Sequence, residues 1–335
     1  MTKTFAEFMQ KPVKKYACGK RAEQAKTVLM NAFTASSKRK AADEKAYFGE
    51  MIDIVNKTPT GRETLKNLSK AGCTFHFESL EGQGGYFDPN NNKIIINKNM
   101  SLQGMASLLV HEGTHAVQWS LKGKPDFRAI DYTVAALYQN QRGGEADAYA
   151  HQTAFHYECK TAYPALYQLV REKNPHLCGI LDIYEGEMEK SGDSGKALKK
   201  TFESWYENSK MMNDYDAGYK SFLKNACDAW KGDKDQNLFI KDLPAKDIVK
   251  QFRHNGKPYV SEDFLTKGLA FSIKPEDKRE IYATMIDYAK EIGGKADISV
   301  LKMNDRTADG KLIPARNNAA NAVRATVAKA KRQGR

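Results

Sequence analysis

Val110-His111-Glu112-Gly113-Thr114-His115-Ala116-Val117 is the stretch on which the reading of this chain turns. On a helix, residues four apart project from one face, so His111 and His115 come together over a single turn and can grip one cation. Glu112 stands beside them, placed to hold a water molecule against that cation. The apolar lead-in of Met105, Ala106, Leu108, Leu109 and Val110 supplies the buried helix such a pair needs. Ser101 is suited to cap its start. Gly123 and Pro125 predict its end near Leu121.

Upstream of this helix the period changes. Thr74-Phe75-His76-Phe77-Glu78 alternates as a strand does, and Tyr86-Phe87-Asp88 and Lys93 to Asn97 flank Pro89-Asn90-Asn91-Asn92, a hairpin signal. The run Ile94-Ile95-Ile96 predicts a strand packed just before the motif helix. Either Thr74 to Glu78 or the hairpin offers an edge on which an extended peptide can pair and present a carbonyl to the metal. Downstream, a helix is expected over Ile130 to Gln141, a break at Gly143-Gly144, and a second helix from Glu145, with Ala146, Ala148, Ala150, Ala154 and Phe155 as packing positions.

Most of the remainder reads as helix. Residues 1–56 carry three helical stretches, the first around Phe5, Phe8 and Met9, with basic interruptions that include Ser36 to Lys40. A short helix follows Pro59 and closes at Gly72. Acid concentrates at Asp182, Glu185, Glu187 and Glu189, as expected of a solvated helix or loop. Further helices are expected around Phe202 to Tyr206, Tyr219 to Ala226, Asp242 to Phe252 and Pro275 to Ile292. Pro258-Tyr259-Val260 reads as a short extended piece and Ser261 as a helix cap. The fold class is therefore α+β, predominantly helical, with a small sheet packed on the motif helix. Four segments are expected: an N-terminal helical segment over 1–72, a core over 73–190, a helical C-terminal subdomain over 191–313 and a basic tail over 314–335.

A chain of 335 residues can bury one large core or two. No apolar run approaches the ~20 residues of a membrane span, and the opening Met1-Thr2-Lys3-Thr4-Phe5-Ala6-Glu7 lacks a secretory h-region. The five cysteines, Cys18, Cys73, Cys159, Cys178 and Cys227, are scattered, odd in number and without a C-x-x-C pair. That argues for reduced thiols in a cytoplasmic setting and against a structural zinc knuckle. The formal net charge is +12. Six basic residues and no acidic one lie between Ala315 and Arg335 (Arg316, Arg324, Lys329, Lys331, Arg332 and Arg335), so half the excess sits in the tail.

Zinc in a hydrolytic site takes three protein ligands and leaves a position for water. The leading candidate for the third is Glu145, in Gly143-Gly144-Glu145-Ala146-Asp147-Ala148-Tyr149-Ala150-His151, where the diglycine would turn the chain and the first turn of a helix would favour a carboxylate. Asp147 and His151, an i, i+4 pair, are rival ligands. Asp147 is alternatively placed to orient a ligating imidazole. Glu112 would accept the water proton and return it to the leaving amine. Tyr149 and His151 are the nearest candidates to donate to the developing oxyanion, with packing or surface roles as the alternative. His156 and His76 have weaker claims, since His76 alternates with two core aromatics.

On these residues the chain resembles the H-E-x-x-H zinc metallopeptidases of the zincin superfamily. Glu145-Ala146-Asp147-Ala148 is similar to the glutamate-bearing second helix of gluzincins, and more closely to that of little-characterised bacterial and phage metallopeptidases. The resemblance covers roughly residues 70 to 160. It implies zinc on His111, His115 and Glu145, Glu112 as catalytic base, and a mixed sheet above the motif helix in a zincin-like core. Ala116-Val117-Gln118-Trp119-Ser120-Leu121 departs from the metzincin pattern, and Glu145 lies further from His115 than in thermolysin-like chains. The reading is a zinc metallopeptidase acting on a protein or peptide. Three others compete: a DNA-associated protease or nucleic-acid-binding protein, from the basic tail; a host-directed effector or toxin protease exported by a non-classical route; and a non-catalytic helical interaction protein.

Overall fold

The computed structural model describes residues 20–34, 41–121, 129–233 and 238–314. Its elements begin with α1 (Lys20–Ala32), β1 (Phe33–Thr34), α2 (Ala41–Val55), α3 (Pro59–Ala71), β2 (Thr74–Glu78), β3 (Gly85–Asp88), β4 (Lys93–Asn97) and the motif helix α4 (Leu102–Leu121). After these come α5 (Val134–Ala162), α6 (Pro164–Lys173), α7 (Pro175–Ser191), α8 (Ser194–Trp205), α9 (Ser209–Ala229) and α10 (Ala245–Val249). The hairpin β5 (Arg253–His254) and β6 (Lys257–Pro258), then α11 (Glu262–Leu265), β7 (Ser272–Ile273), α12 (Pro275–Ile292) and β8 (Asn304–Asp305) complete them. The described residues fall into two compact units. One lies within Met1–Phe127, Gly144–Ser204 and Gln251–Tyr259, the other within Arg128–Gly143, Trp205–Lys250 and Val260–Arg335.

In the first unit a four-stranded sheet runs in the order β1-β2-β4-β3. β2 pairs parallel with β4 and β3 antiparallel with it, with Phe75 opposite Ile94 and Tyr86 opposite Ile95. Ile94, Ile95 and Ile96 are all buried, as expected of a central strand covered on both faces. β2 alternates, with Phe75 and Phe77 inward. The hairpin expected from Tyr86 to Asn97 is therefore present, and β3 is one edge of the sheet, with β1 the other. α4 packs on β3 and β4. It starts where expected, with Ser101 Oγ accepting from Gly104 N at 3.2 Å. α3 begins on Thr58, whose hydroxyl accepts from Gly61 N, carries Pro59 in its first turn, and ends on Gly72 at φ 65°.

Two glycines set how closely these layers approach. A methyl group on Gly85 would stand 2.3 Å from Ile95 O and 2.7 Å from Leu108 Cδ2, so β3 reaches the motif helix only without a side chain there. Gly113, inside the motif, would put a methyl 2.8 Å from Leu68 Cδ1 and 3.1 Å from Thr64 Cγ2 on α3.

Two expectations need correction. The chain does not break at Gly143-Gly144: α5 runs unbroken for 29 residues. The glycine at 144 serves proximity instead of a turn, because a methyl there would stand 3.1 Å from Gln118 Oε1. Glu145 is thus mid-helix and takes no support from a helix N-terminus. The helix expected over Asp242 to Phe252 is only the five residues of α10, and Pro244 stands before its start. The acidic run lies on α7, where Arg171 bridges Asp182 and Glu185. The helix around Phe5 to Met9, the interruption at Ser36 to Lys40, the stop at Gly123 and Pro125, and residues 315–335 of the basic tail lie outside the described residues. No helix among the described residues is long and apolar enough to cross a membrane.

α4 and α5 are also tied by a buried polar contact. Ser107 Oγ meets His156 Nε2 at 2.7 Å and accepts from Gln152 Nε2 at 2.9 Å. Burial pushes the His156 imidazole down to about 3. A group whose folded pKa is depressed favours the fold above its unfolded value of ~6.5 and loses that contribution as pH falls toward the folded value. The loss amounts to on the order of 5 kcal/mol across that window. Unfolding midpoints measured from pH 7 to 4 are expected to drop more steeply in wild type than in His156→Gln. Parallel slopes would remove His156 from the acid sensitivity.

In the second unit α9 packs on α12 around Leu223, Ile281, Met285 and Tyr288. Its interior holds a charge cluster. Arg142 Nε and Nη2 donate to the Asp216 carboxylate at 2.8 and 2.6 Å, and Arg306 Nη2 donates to it at 2.6 Å. Arg142 Nη1 reaches Ser272 O at 2.7 Å. Burying these ions is tolerable because the carboxylate accepts three charge-assisted hydrogen bonds.

Candidate metal centre

α4 presents His111 and His115 from one face, and α5 brings Glu145 against them. His111 Nε2 stands 3.5 Å from Glu145 Oε2, and His115 Nε2 stands 3.5 Å from Glu145 Oε1. One donor atom from each residue lies within 4.8 Å of the others. Two tetrahedral ligands at ~2.1 Å from a shared zinc stand roughly 3.4 Å apart, close to the 3.5 Å of each imidazole–carboxylate contact. The donor chemistry fits too, as two imidazoles and one carboxylate are a hydrolytic zinc set. The protein's own groups keep the carboxylate ionised. Burial would raise the Glu145 pKa, but the two histidines outweigh it and hold the group well below the usual carboxylate range.

His115 has a defined tautomer. Gln118, one turn further along α4, donates through Nε2 to Gly144 O at 3.0 Å and to Asp147 Oδ2 at 2.7 Å. Both partners are acceptors, so the amide must turn its Oε1 to His115 Nδ1, 3.1 Å away. A proton is then fixed on Nδ1, and Nε2 is the nitrogen that faces Glu145 and His111 and can become a ligand by giving up its own proton. Burial would lower the His115 pKa, yet Glu145, Glu112 and Gln118 raise it to about 9. Asp147 is anchored in turn by the Tyr259 hydroxyl at 2.6 Å and by His151 Nδ1 at 3.2 Å.

Glu112 lies on the sheet side of the motif. Phe87 N on β3 donates to its Oε2 at 2.9 Å. Burial is the main influence on Glu112 and pushes its pKa up, against the pull of both histidines. Tyr149, one turn after Glu145, sets its ring edge-on to His111 with centroids 4.7 Å apart.

The structure thus brings together His111, His115 and Glu145, with Glu112 and Tyr149 beside them. Asp147 and His151 fall outside this cluster among the described residues. His151 Nδ1 faces Asp147 O at 3.0 Å, and its Nε2 faces Arg253 O at 3.1 Å. Burial would lower its pKa, but Asp147 raises it to about 9. His156 lies in the Ser107 contact, and His76 Nδ1 meets Thr34 O at 2.9 Å on the far side of the sheet from β3. Three contributors were invisible in the sequence reading: Gln118, the Phe87 N–H and Tyr259. Gln118 carried a usable signal, since residue i+3 from His115 shares its face. Phe87 contributes main chain, and Tyr259 is 112 positions from Asp147, so neither could be found from local pattern.

The model of the Putative metallopeptidase family (DUF6782) matches residues 22–251 of this chain. No curated protein and no solved structure matches it.

Proposed function

The chain belongs to this metallopeptidase family, and from that premise we propose that it hydrolyses peptide bonds with zinc held by His111, His115 and Glu145 and with Glu112 as general base. The observation that carries the reading is the convergence of three ligand atoms from two helices within 4.8 Å, with a buried carboxylate next to them. When bound, zinc supplies Lewis acidity toward a carbonyl and acidifies a water molecule. The protein's groups do the rest. The Phe87 N–H fixes Glu112 Oε2, leaving Oε1 to take the proton of the attacking water. Burial raises the basicity of that carboxylate toward the range suited to proton transfer near neutral pH. The same carboxylate then hands the proton to the departing amine.

The edge strand β3 supports a way of holding the substrate. Gly84 O accepts from Asn97 N on β4, so by alternation the main-chain groups of Gly85 and Phe87 point away from β4. An extended peptide pairing along that side would lay its backbone beside Glu112. Tyr149 is assigned as donor to the oxyanion, from its place one turn beyond Glu145 and against His111. His151 is assigned the support of Asp147, from the contacts of its two nitrogens. A reducing, cytoplasmic compartment is the proposed setting, from the free thiols of Cys73, Cys159, Cys178 and Cys227. The metal centre itself lends no support to nucleic-acid binding, an exported toxin or a non-catalytic role.

Chelation is the direct test. Treatment with a strong zinc chelator is expected to abolish cleavage of a mixed peptide library, and one equivalent of zinc to restore it. Cleavage that survives complete zinc removal sinks the reading.

A further inference from the structure

A cavity lies beside the metal centre within the first unit. It is a groove of about 690 Å³ walled by α3, by the Thr114 to Leu121 side of α4, by the α5 face bearing Asp147, His151 and Glu158, and by the β5–β6 hairpin. None of the three ligands nor Glu112 lines it, although Gln118 and Asp147 do.

Its charges are unevenly satisfied. The two carboxylates on the α5 wall are spoken for: Asp147 by Gln118, Tyr259 and His151, and Glu158 by the amide and hydroxyl of Thr60, both at 2.8 Å. The cations on α3 are not. Arg62, Lys66 and Lys70 are exposed and follow one another at four-residue spacing. Lys66 and Lys70 have no carboxylate partner among the described residues, and Arg62 spends one nitrogen on the carbonyls of Asn56 and Lys57. Elsewhere the same spacing is used for pairing, as in Lys199–Glu203 and Lys210–Asp214. Like charges at i, i+4 destabilise a helix by roughly 0.2–0.5 kcal/mol per pair. Glu63 also lines the groove and is the single acidic residue of α3, so its one negative charge among three cations leaves the row net positive. Arg253 adds a further cation from the hairpin wall.

The spacing of the row selects a ligand. Residues four apart on a helix are ~6 Å apart along its axis. Same-face side chains of an extended peptide, two residues apart, recur at ~6.6–6.8 Å. We propose that this groove binds an extended acidic peptide segment, with carboxylates at alternate positions matched to Arg62, Lys66 and Lys70. Resting on the peptidase reading, the groove then serves as a docking site for substrates that carry such a segment outside the cleaved bond.

The test uses zinc-stripped full-length protein, so that binding is read apart from catalysis. The probe is labelled Ser-Glu-Ser-Glu-Ser-Glu, compared with Ser-Gln-Ser-Gln-Ser-Gln and with the block peptide Ser-Ser-Ser-Glu-Glu-Glu. Anisotropy is expected to show saturable binding of the alternating peptide, weakened by salt and by about tenfold in Lys66→Gln/Lys70→Gln. The block peptide is expected to bind less well. Equal binding of block and alternating peptides overturns the proposal. So does unchanged affinity in that double variant, loss in Lys329→Gln/Lys331→Gln/Arg332→Gln of the tail instead, or displacement by pyrophosphate at lower concentration than by the peptide. In the zinc-loaded protein, cleavage without alternating-peptide binding removes the groove and leaves the peptidase. Binding without cleavage of any peptide removes the peptidase reading.

Discussion

Glu145→Ala is expected to cost the protein its zinc, weakening metal affinity by more than the ~100-fold that loss of an outer partner can cause. One of three protein ligands disappears, and the remaining imidazoles on α4 lose the carboxylate that bridges them at 3.5 Å from each Nε2. The metal-free fold should survive because the two imidazoles left behind can give up their protons once the carboxylate is gone, so that no unpaired buried charge remains. Metal analysis beside His151→Ala separates the rival ligand sets. The His151 variant should keep full zinc, since both of its ring nitrogens already face carbonyl oxygens. Stoichiometric zinc on the Glu145 variant would refute the assignment.

Glu112→Gln should leave zinc in place and reduce kcat by about 10²–10⁴-fold, the usual worth of a positioned general base. The amide keeps the side chain's length and an oxygen for the Phe87 N–H, 2.9 Å from the native carboxylate, but it does not take a proton near neutral pH. Metal content by mass spectrometry and steady-state cleavage on one preparation give both readouts. A rate within a few-fold of wild type would assign the proton transfer to another group.

The sequence reading and the structure agree where the signal is periodic and local. The i, i+4 histidines, the Ser101 cap, the isoleucine run of β4 and the hairpin before it all follow from spacing and residue type. Glu145 was found for a partly wrong reason. The diglycine predicts a turn, whereas its second residue lies inside an unbroken helix and lets the Gln118 amide approach. Glycine is ambiguous in a sequence because freedom to turn and closeness of packing use the same missing side chain. What stays hidden is non-local or main-chain: the β3 amide on Glu112, the Tyr259 hydroxyl on Asp147, and the groove, whose lining comes from five separated stretches of the chain.

Gly113 bears on how relatives of this chain are recognised. The motif is usually scanned with its two inner positions left open, as if only the histidines and the glutamate mattered. Here a methyl at the first open position would press on the side-chain tips of Leu68 and Thr64, which must shift to admit it. A scan that accepts any residue there will gather chains that bind the same ion behind a differently spaced neighbouring helix. One that requires glycine will select those able to share the packing of α3 on α4. A single letter that contributes no chemistry can therefore sort architectures that the reacting residues cannot tell apart.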